Sequence, residues 1–226
     1  MLTQSESEPA TQPQRICELC VEHLSVTGAG ISIVTQAGNR GVIYVTDEVS
    51  ADIEDLQFTL GEGPCVDAVA TGAPVLIPDL AEADLDTGRW PAFMKGAENA
   101  GVKAVFAFPL RIGAISLGAL DLYRDEVGDL AKDELPAIMM AAHSAAVALL
   151  HLDAAGNETF MDELIGRSSY QLQVHQATGM VQVQMGVGTN EAFLLLRARA
   201  FAEGRKLTEV ATDVVERRLR FTKEDQ

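Results

Sequence analysis

The chain has 226 residues, of which 47% are hydrophobic and 22% charged. These proportions are typical of a globular protein with a packed core and exclude a wholly disordered chain. The 17 basic and 33 acidic residues give a net charge of −16. As a single number, this charge argues against nucleic acid or an anionic membrane as a partner, because both are held mainly through Lys and Arg.

The first 14 residues, rich in Ser, Glu, Gln, Thr and Pro, predict a disordered tail. They have neither the cationic start nor the apolar stretch of a secretory signal, so we expect a cytoplasmic protein with reduced cysteines. Cys17 and Cys20 have CxxC spacing, but the helical periodicity around them predicts buried thiols and no metal site. Cys65 stands in a glycine-rich turn with no His or Lys beside it to lower its pKa.

Helices and short strands are mixed over residues 15–150. A helix is predicted over 13–25, a hairpin follows from two β-branched runs, and Ser50 is the expected N-cap of the next helix. Further strands are predicted from Val75, from Val102 and over 113–123. This order predicts an α+β domain with no alternating βαβ units.

A long apolar helix is predicted to close this domain, over residues 135–152. His143 lies in its middle and alanine occupies many positions, which favours a buried or interface helix over a membrane span. We therefore expect no membrane partner.

No strand pattern remains after residue 160. Helical spacing predicts a helical linker over 151–169 and a bundle of three helices over 170–226. Thr189 is the expected cap of the second helix, which is apolar around most of its circumference and should be central. The third is amphipathic, with Leu207, Val210, Ala211, Val214 and Arg218 on one face.

The charge is distributed unevenly between these two regions. Residues 171–226 hold eight of the basic and seven of the acidic residues, a net of +1, which leaves −17 for the remainder. The charge argument against nucleic acid therefore applies only to the first region. On the second helix Arg197 and Arg199 point about 200° apart, so Arg197 and the Arg205-Lys206 corner are the better candidates for one cationic patch.

Three segments of the first region, residues 56–68 (LQFTLGEGPCVDA), 89–93 (RWPAF) and 117–124 (LGALDLYR), resemble a GAF domain. The likeness covers about 15–150 and is to GAF domains fused to bacterial RNA-binding regulators. It implies an antiparallel sheet flanked by helices that senses a signal or dimerises. The residues do not identify a small-molecule ligand, and Phe93, Phe106 and Phe108 are expected to be core.

The last region resembles an ANTAR domain, through residues 175–180 (HQATGM), Glu191-Ala-Phe, Leu196-Arg197 and 205–211 (RKLTEVA). The resemblance implies binding of two stem-loops with hexanucleotide loops in a nascent transcript, which prevents a terminator from forming. Family members often carry Lys in place of Thr178 and Leu-Met in place of Val181-Gln182. The matching positions expected to touch RNA are Gln176, Thr178, Gly179, Arg197, Arg205, Lys206 and Thr208.

Together these features predict an RNA-binding transcription antiterminator that is not an enzyme and needs no cofactor. Two stem-loops require two reading domains, which predicts a homodimer formed through the helices over 135–152 and 160–185. Two alternatives stay open: a signalling module whose C-terminal bundle docks a protein, and a cysteine-dependent reductase of free methionine sulfoxide.

Overall fold

The computed structural model describes residues 12–34, 40–82, 88–154 and 169–222. Most of the predicted N-terminal tail and most of the predicted helical linker lie outside these residues. The first helix begins at Gln12, so the last three residues of the stretch predicted as a tail are helical.

The first region is an α+β domain, as predicted. Its elements in chain order are α1 (Gln12–His23), β1 (Gly28–Val34), β2 (Arg40–Val45), α2 (Glu48–Leu60), α3 (Pro64–Thr71), β3 (Val75–Ile77), α4 (Pro91–Asn99), β4 (Ala104–Ile112), β5 (Ile115–Arg124) and α5 (Glu134–Ala154). The strands form one sheet in the order β2-β1-β5-β4-β3. Each of its pairings is antiparallel.

The two faces of the sheet carry different side chains, because successive residues of a strand point to opposite sides. On one face Phe106 and Phe108 join a core that includes Cys17 from α1 and Ile138 from α5. The opposite face, under α2 and α3, carries small or polar side chains such as Ser32. The predictions of core phenylalanines and buried thiols are confirmed.

Two predicted helix caps are wrong. Asp47 is the N-cap of α2, and its carboxylate accepts a hydrogen bond from the backbone N–H of Ser50 at 2.9 Å. Ser50 lies in the first turn instead, where its hydroxyl also donates to Asp47. In the C-terminal region Gly188 occupies the N-cap and Thr189 is already helical. Sequence alone does not separate neighbouring residues that can all cap a helix end.

The C-terminal region consists of α6 (Ser169–Met185), α7 (Thr189–Glu203) and α8 (Leu207–Val215), the predicted bundle of three helices. Their shared core is formed by the buried residues Val174, Ala177, Val181, Leu196, Ala200, Leu207, Val210 and Val214. Each of the three helices packs against the other two, most extensively α6, so the prediction that the second helix is the central one is wrong; α7 exposes Leu194 and Phe201 to solvent. Arg218 lies beyond the end of α8 and is exposed, so it does not belong to the helical face predicted for it.

Candidate nucleic-acid interface

Arg197 on α7 reaches the C-terminal end of α2. Its Nε donates a hydrogen bond to the carbonyl oxygen of Thr59, in the last turn of that helix. Carbonyls of a last turn lack helical partners and carry the negative end of the helix dipole, so a cation is stabilised there. Gly61 ends α2 at φ 62°, and a Cβ at this position would lie 2.2 Å from Arg197 Nη2. Glycine therefore suits the left-handed backbone here and leaves space for the guanidinium.

Two further contacts join α2 to the bundle. The Lys206 ammonium, immediately before α8, forms an ion pair with Asp52. The rings of Phe58 and Phe193 lie 5.3 Å apart between centroids. The guanidinium of Arg197 lies 5.8 Å from the centroid of the same Phe193 ring, within range of a cation–π contact. In this conformation α2 contacts two of the predicted RNA-binding cations, Arg197, which is half-buried, and Lys206, which stays exposed.

A partly buried carboxyl lies next to this contact. Burial raises the pKa of Asp55 to about 6; the nearby Lys206 ammonium opposes the shift, and the carboxylates of Asp52 and Glu209 add to it. Asp55 therefore changes its charge within the range of pH that cells experience.

The ion-pair partners of Arg205 lie within the bundle and differ from the partners of Arg197 and Lys206. It forms ion pairs with Glu203 at 3.1 Å, Glu209 at 3.5 Å and Asp213 at 2.6 Å. Hydrogen bonds from Arg205, and from Arg218 as well, hold the pKa of the Asp213 carboxyl below its usual range. Arg197 and Lys206 thus contact α2 while Arg205 belongs to a carboxylate network within the bundle, and a common RNA-binding patch of the three cations stays a prediction.

The residues predicted on α6 divide by exposure. Gln176 and Gly179 are exposed, and a Cβ added at Gly179 would meet nothing within 4 Å. Ala177, in contrast, is fully buried in the bundle core. Gly179 therefore belongs to an open surface and not to a close helix contact.

Both predicted threonines are buried. The Thr178 hydroxyl donates to the carbonyl oxygen of Val174 at 2.7 Å, within its own helix. Thr208 is 8% exposed. Both side chains pack within the bundle in this conformation, and their contact with RNA stays a prediction.

Small cavities lie between the sheet and the helices α2 and α3, among the residues that the structure describes. Two cavities of about 10 Å³ each lie there, both bordered by Glu54. Each can hold about one water molecule.

The cysteines lack the features of reactive thiols. Cys17, Cys20 and Cys65 are at most 4% exposed. Burial raises the pKa of Cys17 and raises that of Cys20 to about 11. The thiols of Cys17 and Cys20 are therefore poor nucleophiles at neutral pH, which argues against a reductase that uses either of them.

Comparison with known families identifies both regions. A model of the GAF domain matches residues 10–150, more than half of the chain. The chain belongs to the GAF domain family. A model of the ANTAR domain matches residues 169–215. With this pair of domains the protein is an RNA-binding regulator of the antiterminator type that carries a sensing domain, as the sequence predicts.

Solved structures resemble the GAF domain at low identity. The GAF domain of a phosphoenolpyruvate-protein phosphotransferase from Coxiella burnetii is 17% identical, with 66% of this chain and 88% of that chain covered and a TM-score of 0.50. The corresponding domain from Acinetobacter is 10% identical, with 67% and 89% covered and the same TM-score. These likenesses show the fold alone. No curated protein matches the chain.

Helix α5 contains the most apolar window among the described residues. Over Glu134–His151 it is long and apolar enough to cross a membrane, although 33% of this window is buried. Ile138, Ala142 and Leu149 lie in the core of the GAF domain. A helix with one face in a domain core accounts for this composition.

Proposed function

We propose that the ANTAR domain binds paired stem-loops with hexanucleotide loops in a nascent transcript and thereby prevents a terminator from forming. The observation that carries this proposal is the match over residues 169–215, which includes the exposed Gln176 and Gly179 and the cations Arg197, Arg205 and Lys206. Unpaired loop bases present edges and faces that an A-form duplex hides. An exposed amide beside an open glycine can reach such bases while the cations hold phosphates.

The GAF domain controls access to this surface in the proposed mechanism. Arg197 donates a hydrogen bond to Thr59 of α2, and Lys206 forms an ion pair with Asp52 of the same helix. In this mechanism both cations bind RNA only after α2 moves away. RNA then binds the undocked population, and any signal that favours undocking raises the apparent affinity. The docked conformation described above is the low-affinity state.

Two copies of the chain would supply the two ANTAR domains that paired loops require. Helix α5 carries a stripe at helical spacing, formed by the exposed Pro136, Met140, His143 and His151 and the half-buried Val147. Met140 is 67% exposed, unusual for a large apolar side chain. We propose that this stripe is the homodimer interface, which raises the effective concentration of the second loop contact.

The test is binding of an RNA with two hexaloop stem-loops, compared with the same RNA after one loop sequence is scrambled. Arg197→Ala and Lys206→Ala should each weaken binding about tenfold, the cost of losing one charged hydrogen bond. Each should also reduce the salt dependence by about one counterion. Each substitution also removes a contact with α2, and release of α2 by itself would raise RNA affinity. The variants are therefore made in a Phe58→Ala background, in which docking is already weak, so that the loss of the RNA contact can be measured.

Arg199→Ala is the matched control, since Arg199 lies on the same helix and pairs with Glu203. It removes the same charge without removing a proposed contact. Equal losses for all three variants would show a general charge effect and no specific patch. Binding of a protein with little salt dependence, and none of the RNA, would favour the docking alternative.

A further inference from the structure

Three side chains that can ligate a metal converge inside the GAF domain. Glu54 comes from α2, Cys65 from α3 and Asp121 from β5, and their ligating atoms all lie within 4.8 Å of one another. Each of the three residues is at most 4% exposed. This cluster is thus buried and chemically mixed, unlike an acidic patch on a surface.

The sheet is shaped to receive these groups. Gly30 lies directly opposite Asp121 in the pairing of β1 and β5. A Cβ at Gly30 would lie 2.9 Å from Glu54 Oε1, so the glycine leaves the space that the carboxylate occupies. Ser32 Oγ, further along β1, lies 3.9 Å from Cys65 Sγ.

A buried amide next to the cluster supplies an independent observation. Gln57 is 1% exposed, and its Oε1 accepts a hydrogen bond from the backbone N–H of Cys65 at 2.8 Å. Its Nε2 has no hydrogen-bond partner among the described residues. Gln57, Glu54 and Cys65 border the same cavity of about 10 Å³, which has room for one water. A water there would accept the hydrogen bond that Nε2 lacks.

Two carboxyl groups and a thiol held this close away from water repel one another when they are ionised, and either protons or a cation relieve that repulsion. A sulfur and oxygen donor set suits a borderline-soft ion such as Zn²⁺ better than Mg²⁺ or Ca²⁺, which take oxygen ligands. Tetrahedral zinc separates its ligand atoms by about 3.3 to 3.6 Å, so modest side-chain rotations would close the cluster.

We propose that Glu54, Cys65 and Asp121 bind a divalent transition-metal ion of the zinc class, with a water in the adjacent cavity as fourth ligand. Gln57 Nε2 donates to that water. Phe58 also borders this cavity, and its ring contacts Phe193 of the ANTAR domain. The metal site therefore adjoins the contact between the two domains.

The test uses the full chain, stripped of metal by a chelator and titrated with Co²⁺, whose thiolate complexes absorb in the near ultraviolet. We expect saturation at one ion per chain and displacement of Co²⁺ by Zn²⁺. Cys65→Ser should abolish the thiolate band and weaken binding more than tenfold, and Asp121→Asn should weaken binding while leaving the band. Cys20→Ser is the control, a second buried thiol of the same domain, and should bind as the parent chain does.

Far-ultraviolet circular dichroism of each metal-free variant establishes that it is folded before the titration is interpreted. Saturation well below one ion per chain would overturn the proposal. So would loss of the thiolate band in Cys20→Ser instead of Cys65→Ser. In either case the cluster would be a proton-sharing pair of carboxyl groups beside a thiol.

Discussion

Truncation of one aromatic ring tests whether α2 restrains the ANTAR domain. Phe58 belongs to the GAF domain, and its ring packs against Phe193 at a centroid distance of 5.3 Å. An aromatic pair contributes about 0.5 to 1.5 kcal/mol beyond the apolar area it buries. With that area included, Phe58→Ala should weaken docking by about 1 to 2 kcal/mol, a factor of roughly 5 to 30 in the docking equilibrium.

The measured quantity is the apparent Kd for the two-hexaloop RNA, followed by fluorescence anisotropy at one fixed salt concentration. Because RNA binds only the undocked form in the proposed mechanism, the apparent affinity should rise by up to the same roughly 5- to 30-fold factor. Leu76→Ala is the matched control: Leu76 lies on β3 of the GAF domain and is 42% exposed. It should leave RNA affinity unchanged.

A charge variant on the same helix should give a smaller effect. Asp52 and Lys206 are 45% and 53% exposed, and an ion pair exposed to this degree contributes about 0.2 to 1 kcal/mol. Asp52→Asn should therefore tighten RNA binding, by no more than several-fold. Glu48→Gln removes the same charge from an exposed position of α2 and should leave RNA binding unchanged.

Unchanged or weaker RNA binding by a folded Phe58→Ala chain would refute the proposal that α2 restrains the ANTAR domain. An equal gain in RNA affinity for Leu76→Ala would refute it as well.

Three further predictions follow from individual side chains. Burial raises the pKa of Asp55 to about 6, so the folded chain binds a proton at this carboxyl more tightly than the unfolded chain does. The free energy of unfolding that this proton contributes is fully present below about pH 4 and is lost as the pH rises through 6. Asp55→Asn should therefore raise Tm at pH 7.5 by the equivalent of about 1 to 3 kcal/mol but change it little at pH 4. Glu62 Oε1 accepts hydrogen bonds from the backbone N–H groups of Ala92 and Phe93, at 3.0 and 3.2 Å. Glu62→Ala should lower the free energy of unfolding in urea by about 0.5 to 2 kcal/mol, the cost of a lost helix cap, and an unchanged midpoint would contradict this. Met140→Glu places a charge in the proposed dimer stripe, so light scattering should show monomers, whereas a dimer that persists would exclude α5 as the interface.

The local elements of this protein were largely predictable. Period-2 and period-3.6 patterns are local properties of the chain, so the strands of the sheet and the three helices of the bundle followed from spacing alone. Helix ends were less well predicted, as at Asp47 and Ser50, because adjacent polar residues compete for the same backbone N–H groups.

The side-chain environment of the candidate RNA-binding residues was not predictable. Thr178 and Gly179 are neighbours on α6, yet one is buried and the other is open. The difference depends on which face of α6 meets α7 and α8, and sequence spacing does not specify that orientation when most of a helix is apolar or small. Arg197 likewise meets Thr59, a residue 138 positions earlier in the chain.

The uneven charge, −17 before residue 171 and +1 after it, and the resemblance to the GAF and ANTAR families were determined by the sequence itself. Only the tertiary structure decided that α2 lies on Arg197 and Lys206 and that Glu54, Cys65 and Asp121 meet. The physical reason is that these contacts join residues far apart in the chain, and their distances are set by how helices pack on the sheet and on one another. Composition and periodicity describe each element separately and contain no such distances.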